Sequence, residues 1–269
     1  VAIFMGKGKN DEAEEILGNC TMALIVIALI LVVVLQFAAE PLLMLFGASD
    51  NTLPYALSYL NIYGKGTLFV MLTMGLNSFI NTQGFSKVGM KTVLIGAVCN
   101  IILDPVFIFA FDMGVQGAAL ATVISQFTSA ILCLIHLMRT KEEYQLHISK
   151  IRFDGRVLGE IIRNGVPSGF QNSVISIANV FVQTNINAFG KMAMAGCGSY
   201  AKIDGFAFLP VTCFTMALTT FVSQNLGAKN YHRIDQTLVR CMCIVTLIGL
   251  VLGNGAHLLG NHLLQDRKS

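Results

Sequence analysis

Charge is what this sequence has least of. Asp, Glu, Lys and Arg make up 12% of its 269 residues, whereas 54% are hydrophobic; soluble domains usually carry about 25% charged residues. The deficit argues against a soluble domain and implies a polytopic membrane protein. A net charge of +3, scattered along the chain, is too small for a nucleic-acid surface, and no DNA or RNA module is visible. Motifs of catalysis and metal binding are also missing: there is no HExxH, no Ser/His/Asp set and no acidic metal motif. His136, His147 and His232 sit at or near loops and read as histidines of the aqueous faces. Cys20, Cys99, Cys133, Cys197, Cys213, Cys241 and Cys243 lack CxxC or Cys/His spacing, so they read as small buried hydrophobes. No charged n-region or cleavage site accompanies the opening VAIFM, which reads as the tail of a span and not as a signal peptide. The closing GNHLLQDRKS stops abruptly after an apolar segment, so a fragment at both ends is expected.

Apolar runs are what the chain has instead. Segments 20–37, 55–83, 91–111, 118–138, 166–189, 200–224 and 238–252 predict an all-α membrane protein with about seven complete spans, plus the end of one more at 1–5. Glu40-Pro41 is expected to close the first full span, and Pro105 and Pro210 to kink theirs. The loops alternate in charge. Those holding Lys7, Lys9, Lys87, Lys91, Arg139, Lys141, Lys150, Arg152, Arg156, Arg163, Lys229, Arg233 and Arg240 face loops that hold only Lys191. The positive-inside rule puts the long polar stretch 139–164 in the cytoplasm, as a linker between two lobes. A faint repeat joins FMGKGKN, Leu17 and Cys20 to NLGAKNY, Leu238 and Cys241 at a constant offset of 221. Six spans separate the copies, so the repeat is parallel, with a pseudo-twofold along the membrane normal.

One carboxylate stands out. Asp104 lies about 20 Å along its helix from Lys91, inside a hydrocarbon core roughly 30 Å thick, where an ionised carboxylate is costly without partners. Asn100 is one turn earlier on the same face and Gly96 one turn before that, and Pro105 follows. Residues equidistant from a short turn share a depth. A turn near Val88 pairs Asn77 with Asn100, and a turn near Met113 pairs Asp104 with Thr122. Asn77, Asn100, Asp104 and Thr122 are therefore expected to form one seat for a proton or a small cation, or else to fasten helices separately. A second, uncharged stripe of Asn172, Ser176, Asn179 and Gln183 falls within roughly 60° of a helical wheel and reads as a cavity wall. Asp204, with Lys202, enters the membrane nearby and is a further candidate for that cavity; Lys65 reads as snorkelling.

The runs NIILDPVFIFAFDMGVQGAALATVISQ, NGVPSGFQNSVISIANVF and AKIDGFAFLPVTCFTMALTTFVSQNLGAKNYHR closely resemble the bacterial multidrug and toxic compound extrusion (MATE) transporters of the MOP superfamily. The resemblance covers nearly the whole chain, from the end of the family's second helix through its ninth. It implies a two-lobe helical bundle, with 1–138 from the amino lobe, 139–164 the inter-lobe linker and 165–269 part of the carboxy lobe. It implies a monomeric antiporter in the plasma membrane that exports organic cations in exchange for Na⁺ or H⁺ and needs no cofactor. No metal beyond Na⁺ at Asp104 is expected. Asn77, Asn100, Asp104 and Thr122 fall at positions resembling the cation site of the DinF-like branch. The acidic residue that another branch carries on the seventh helix is missing from 166–189. A lipid-linked saccharide flippase of the same superfamily is the neighbouring reading, and a membrane enzyme the distant one.

Overall fold

The computed structural model describes the backbone of residues 1–46, 48, 52–140, 145–189 and 191–265, and their side chains except those at 187, 188, 191–195, 199, 200, 202–204, 206, 207 and 255–265. Among the described residues there are helices and no strands. A short α1 (Ala2–Gly6) precedes α2 (Asn10–Leu45), α3 (Leu53–Lys65), α4 (Thr67–Thr82), α5 (Ser86–Pro105), α6 (Gly114–Arg139), α7 (Gly155–Ala188), α8 (Lys191–Gly227) and α9 (Tyr231–Gln265). The chain makes two compact units: Lys9–Thr184 with Val1, and Ala2–Gly8 with Asn185–Ser269.

In the larger unit, α2 runs through Pro41 to Leu45, further than the expected stop at Glu40-Pro41. A proline near a helix end breaks one backbone bond without ending the helix. The apolar segment 55–83 is divided at Gly66 into α3 and α4. The division falls where α6 presses in, for a Cβ on Gly66 would overlap the Val123 side chain, with Cγ1 at 2.9 Å. Among the described residues, four stretches are long and apolar enough to cross a membrane: Asn10–Leu45, Ser86–Ala110, Gly114–Arg139 and Tyr231–Asn254. Helix α7 matches an expected span in position but is not among them, because side chains such as Asn172, Asn179 and Gln183 dilute its hydropathy.

Helix α6 is the centre of this unit, packing against α3, α4 and α5. Its buried face is a row of mostly small residues at four-residue spacing, Gly117, Ala121, Ser125, Ser129 and Cys133, ending in Leu137. Helices in lipid gain nothing from hiding apolar surface, so close backbone approach through small side chains is what joins them. Helix α5 answers with buried Gly89, Thr92 and Gly96. At Gly96 a Cβ would overlap the Ser129 hydroxyl and sit 3.1 Å from the Ser125 carbonyl. On the other flank α4 buries Leu72, Leu76 and Ile80, and Thr73 Oγ1 donates to the Gln126 carbonyl of α6 at 3.0 Å.

In the smaller unit, the offset of 221 recurs in backbone geometry. Its turns lead into α2 of the larger unit, which begins at Asn10, and into α9, which begins at Tyr231. Lys7 N–H bonds Ile3 O at 3.1 Å and Ala228 N–H bonds Gln224 O at 3.0 Å; Gly8 N–H bonds Met5 O at 2.8 Å and Lys229 N–H bonds Leu226 O at 3.1 Å. The turn residue has φ of 70° at Gly8 and 57° at Lys229, a left-handed conformation that costs lysine more than glycine.

Gly96→Val should wedge α5 from α6 and destabilise the folded protein by about 2 kcal/mol, read as an earlier midpoint of helix loss on SDS titration in mixed micelles. An unmoved midpoint would contradict the close approach.

Candidate functional site

Asn100 and Asp104 share a face of α5, and Asn100 Nδ2 donates to Asp104 Oδ1 at 3.2 Å. Both residues are half-buried. Pro105 keeps helical backbone angles, φ −61° and ψ −36°, but has no N–H to give the Ile101 carbonyl. Directly after it the chain widens into a π turn, Val106–Ala110, in which Phe111 N–H reaches Val106 O at 3.0 Å. Such turns are rare and cluster at functional sites. The break expected at Pro105 thus takes the form of a π turn beside the carboxylate, while α8 runs through Pro210 as one helix.

The expected pairing of Asn77 with Asn100 does not occur. Helices α4 and α5 turn at Gly84, φ 88°, and not near Val88, so the register moves by about two helical turns. Asn77 Nδ2 donates to Gly89 O at 2.8 Å and to Thr92 Oγ1 at 3.0 Å, and its own Oδ1 accepts from Asn81 Nδ2 at 2.9 Å. Ser129 Oγ donates to the Thr92 carbonyl at 3.1 Å, and Cys133 Sγ lies 3.5 Å from Thr92 Oγ1. This is a polar fastener of α4, α5 and α6, about 12 Å along α5 from Asn100. Thr122 stands differently. The α5–α6 register brings Gly117 against Phe107 and Gly96 against Ser125, which puts Thr122 within about a turn of the level of Asp104. Its hydroxyl donates to Ala118 O of its own helix at 2.9 Å. The structure thus brings Asn100 to Asp104, leaves Thr122 at a neighbouring level, and gives Asn77 other partners.

The family model described as MatE matches residues 1–106 and 167–265. The chain belongs to the MatE family. It is similar to the probable multidrug resistance protein YoeA of Bacillus subtilis (strain 168), 26% identical over 252 residues, covering 91% of this chain and 54% of that protein. It is also similar to the multidrug export protein MepA of Staphylococcus aureus (strain NCTC 8325 / PS 47), 26% identical over 258 residues, with 96% and 56% covered. Among solved structures, the MATE multidrug transporter DinF-BH in complex with R6G is 29% identical, with a TM-score of 0.92 over all of this chain and 60% of that one. An outward-facing MATE transporter of the MOP superfamily shares the fold at 20% identity, with a TM-score of 0.89 over 99% of this chain and 60% of that one. The chain spans a little over half the length of these proteins.

As a MatE chain it is a multi-pass bacterial membrane protein, and α7 carries the polar stripe expected of it. Asn172, Ser176, Asn179 and Gln183 are all exposed, as are the apolar positions between them. The side chains of Asp204 and Lys202 lie outside the described residues. Lys65 is exposed in the last turn of α3. The reading of every cysteine as buried holds only for Cys133; Cys213 and Cys243 are exposed, on helix faces that lipid can cover. His136, in the last turn of α6, is half-buried, and its ring meets Phe85 of the α4–α5 turn edge-on at 5.7 Å between centroids.

Sequence reasoning missed one docking site in this MatE chain. Glu14 is 14% exposed and accepts Gln145 N–H at 3.0 Å and Lys150 Nζ at 2.5 Å. Asn19 Oδ1 accepts Asp154 N–H at 2.9 Å, and Gly18 leaves room for the Lys150 carbonyl. The linker is thereby strapped along the start of α2. Spacing could not show this, because the partners are more than a hundred residues apart. Asp154 also caps α7, accepting Arg156 N–H at 2.9 Å and Val157 N–H at 3.2 Å. Those N–H groups, first Val157 and then Arg156, hold its carboxyl below the ordinary aspartate value. A depressed folded value means that the cap's contribution is complete above the ordinary value of about 3.9 and is lost as pH falls through the folded one. The protection factors of the Arg156 and Val157 amides should hold at about pH 5, fall as the pH is taken below the folded value of Asp154, and be low at every pH in Asp154→Ala. Protection independent of both pH and this substitution would overturn the cap.

Proposed function

We propose that the protein carrying this chain is a secondary active antiporter, a monomer without catalytic activity or cofactor, that exports organic cations across the plasma membrane in exchange for Na⁺ or H⁺. The observation that carries this reading is Asp104: a half-buried carboxylate on an apolar helix, bonded to the Asn100 amide and followed by Pro105 and a π turn. In apolar surroundings an ionised carboxylate costs about 2.5–3.5 kcal/mol on insertion scales. A bound proton or Na⁺ removes much of that charge. Occupancy therefore changes how well the Asp104 face can be buried, and the helix already carries the irregular turn that could take up a change of bend. Asn100 orients the carboxylate, and the Thr122 hydroxyl is a second ligand if its helix turns slightly. Asn77 joins the site only through the packing of α4 on α5.

The polar stripe of α7, with Asp204, forms part of the wall of the substrate cavity. Its residues from Asn172 to Gln183 are uncharged. A neutral wall suits bulky organic cations held by stacking and weak polar contact better than a polyanionic lipid-linked saccharide. The linker 139–164 faces the cytoplasm, between an amino lobe at 1–138 and part of a carboxy lobe at 165–269. The YoeA and MepA names and the DinF-BH complex support drug export as the activity.

Inside-out vesicles should accumulate a dye cation when an inward-to-outward Na⁺ or H⁺ gradient is imposed, and Asp104→Asn should cut that uptake about tenfold or more. Uptake by Asp104→Asn equal to wild type across external pH and Na⁺ would sink the assignment. No dye uptake by wild type, together with rescue of envelope assembly, would favour the flippase.

A further inference from the structure

Two glycines related by the repeat pack on one another. A Cβ on Gly6 would run into the carbonyl of Gln224, with Ala228 N at 3.1 Å; a Cβ on Gly227 would run into the carbonyl of Ile3, with Gly6 Cα at 3.0 Å. Ile3 and Gln224, Gly6 and Gly227, and Lys7 and Ala228 are each 221 positions apart, the offset of the two turns. Each glycine therefore lies under the carbonyl three residues before the other glycine. A reciprocal contact between equivalent positions is the signature of a twofold axis, and here it relates the end of α1 to the end of α8. The contact is buried at Gly227, and it adjoins the turns holding Lys7, Lys9, Lys229 and Arg233, the side assigned to the cytoplasm by its positive charge.

We propose that the Gly6–Gly227 crossing is a breakable clasp that holds the cytoplasmic side shut in one of two arrangements of the transporter. This rests on the reading of the chain as part of a rocking antiporter. The physical reason is range. Backbone against backbone, joined by dispersion and by Cα–H groups facing carbonyls, is favourable only at one close separation. Long side chains could follow a moving partner, but these positions have none, so the contact is either made or lost, as a two-state element requires. A methyl group on either glycine cannot fit without parting the backbones, and so acts on the closed arrangement alone.

The test uses spin labels at Asn10→Cys and Tyr231→Cys, the repeat-equivalent first residues of α2 and α9, with the native cysteines, seven of them in this chain, replaced by serine and the protein reconstituted in lipid. With both glycines present, pulsed dipolar spectroscopy should resolve two distances whose proportions respond to dye cation, Na⁺ or pH. Gly6→Ala and Gly227→Ala should each raise the proportion of the longer distance about threefold or more, and the double variant should do no more than the stronger single one, since both remove one contact. Alanine variants that fold and leave the proportions unchanged would overturn the clasp. If those variants do not fold, a single distance in the glycine protein that no condition moves would also overturn it. Shifted distances without dye transport would support the clasp and count against the antiporter reading, whereas dye transport with unmoved distances would do the reverse.

Discussion

Lipid-facing helices gain nothing by hiding apolar surface from one another, so they hold together only where their backbones can come close or where polar groups can meet. Helix α6 satisfies the first condition with its row of buried residues from Gly117 to Cys133, and α5 with Gly89, Thr92 and Gly96. The same condition recurs where the ends of α1 and α8 meet at Gly6 and Gly227. Each of these places would be lost to one or a few added carbon atoms. The polar side chains of α4, α5 and α6 meet in the registers so set.

Those registers divide the polar residues of α4, α5 and α6 into two groups with different chemistry. Asn77, Asn81 and Thr92 hydrogen-bond one another, and Asn77, Thr92 and Ser129 also donate to backbone carbonyls, which is what a buried fastener needs. Asn100 and Asp104 lie two turns further along α5, half-buried, beside a proline and a π turn. A saturated network resists change, whereas a carboxylate whose charge can be added or removed responds to it. The fastener thus supplies the rigid end of α5, and the proposed cation seat lies at its irregular end.

The linker adds a second kind of constraint, outside the lipid. Glu14 and Asn19 hold residues 145–154 against the start of α2, and Asp154 then starts α7. Two helices distant in sequence are thereby tied through a few hydrogen bonds, those to Glu14 charge-assisted, and residues 145–154 are a strap of defined path.

Much of this was legible in the sequence, because lipid imposes a local rule: apolar runs of sufficient length must be helices, and basic loops face one side. The all-α class, the positions of the long helices, the offset of 221 and the pairing of Asn100 with Asp104 all follow from spacing within one helix or from copies of one motif. Contacts between helices were legible only as far as the turns could be located. Placing the α4–α5 turn near Val88 when it lies at Gly84 was enough to pair Asn77 with Asn100 and miss Thr92. Tertiary structure alone decided that register, the strap at Glu14 and the meeting of Gly6 with Gly227, because each depends on where two distant stretches of backbone come to rest, and a one-dimensional pattern carries no such distance.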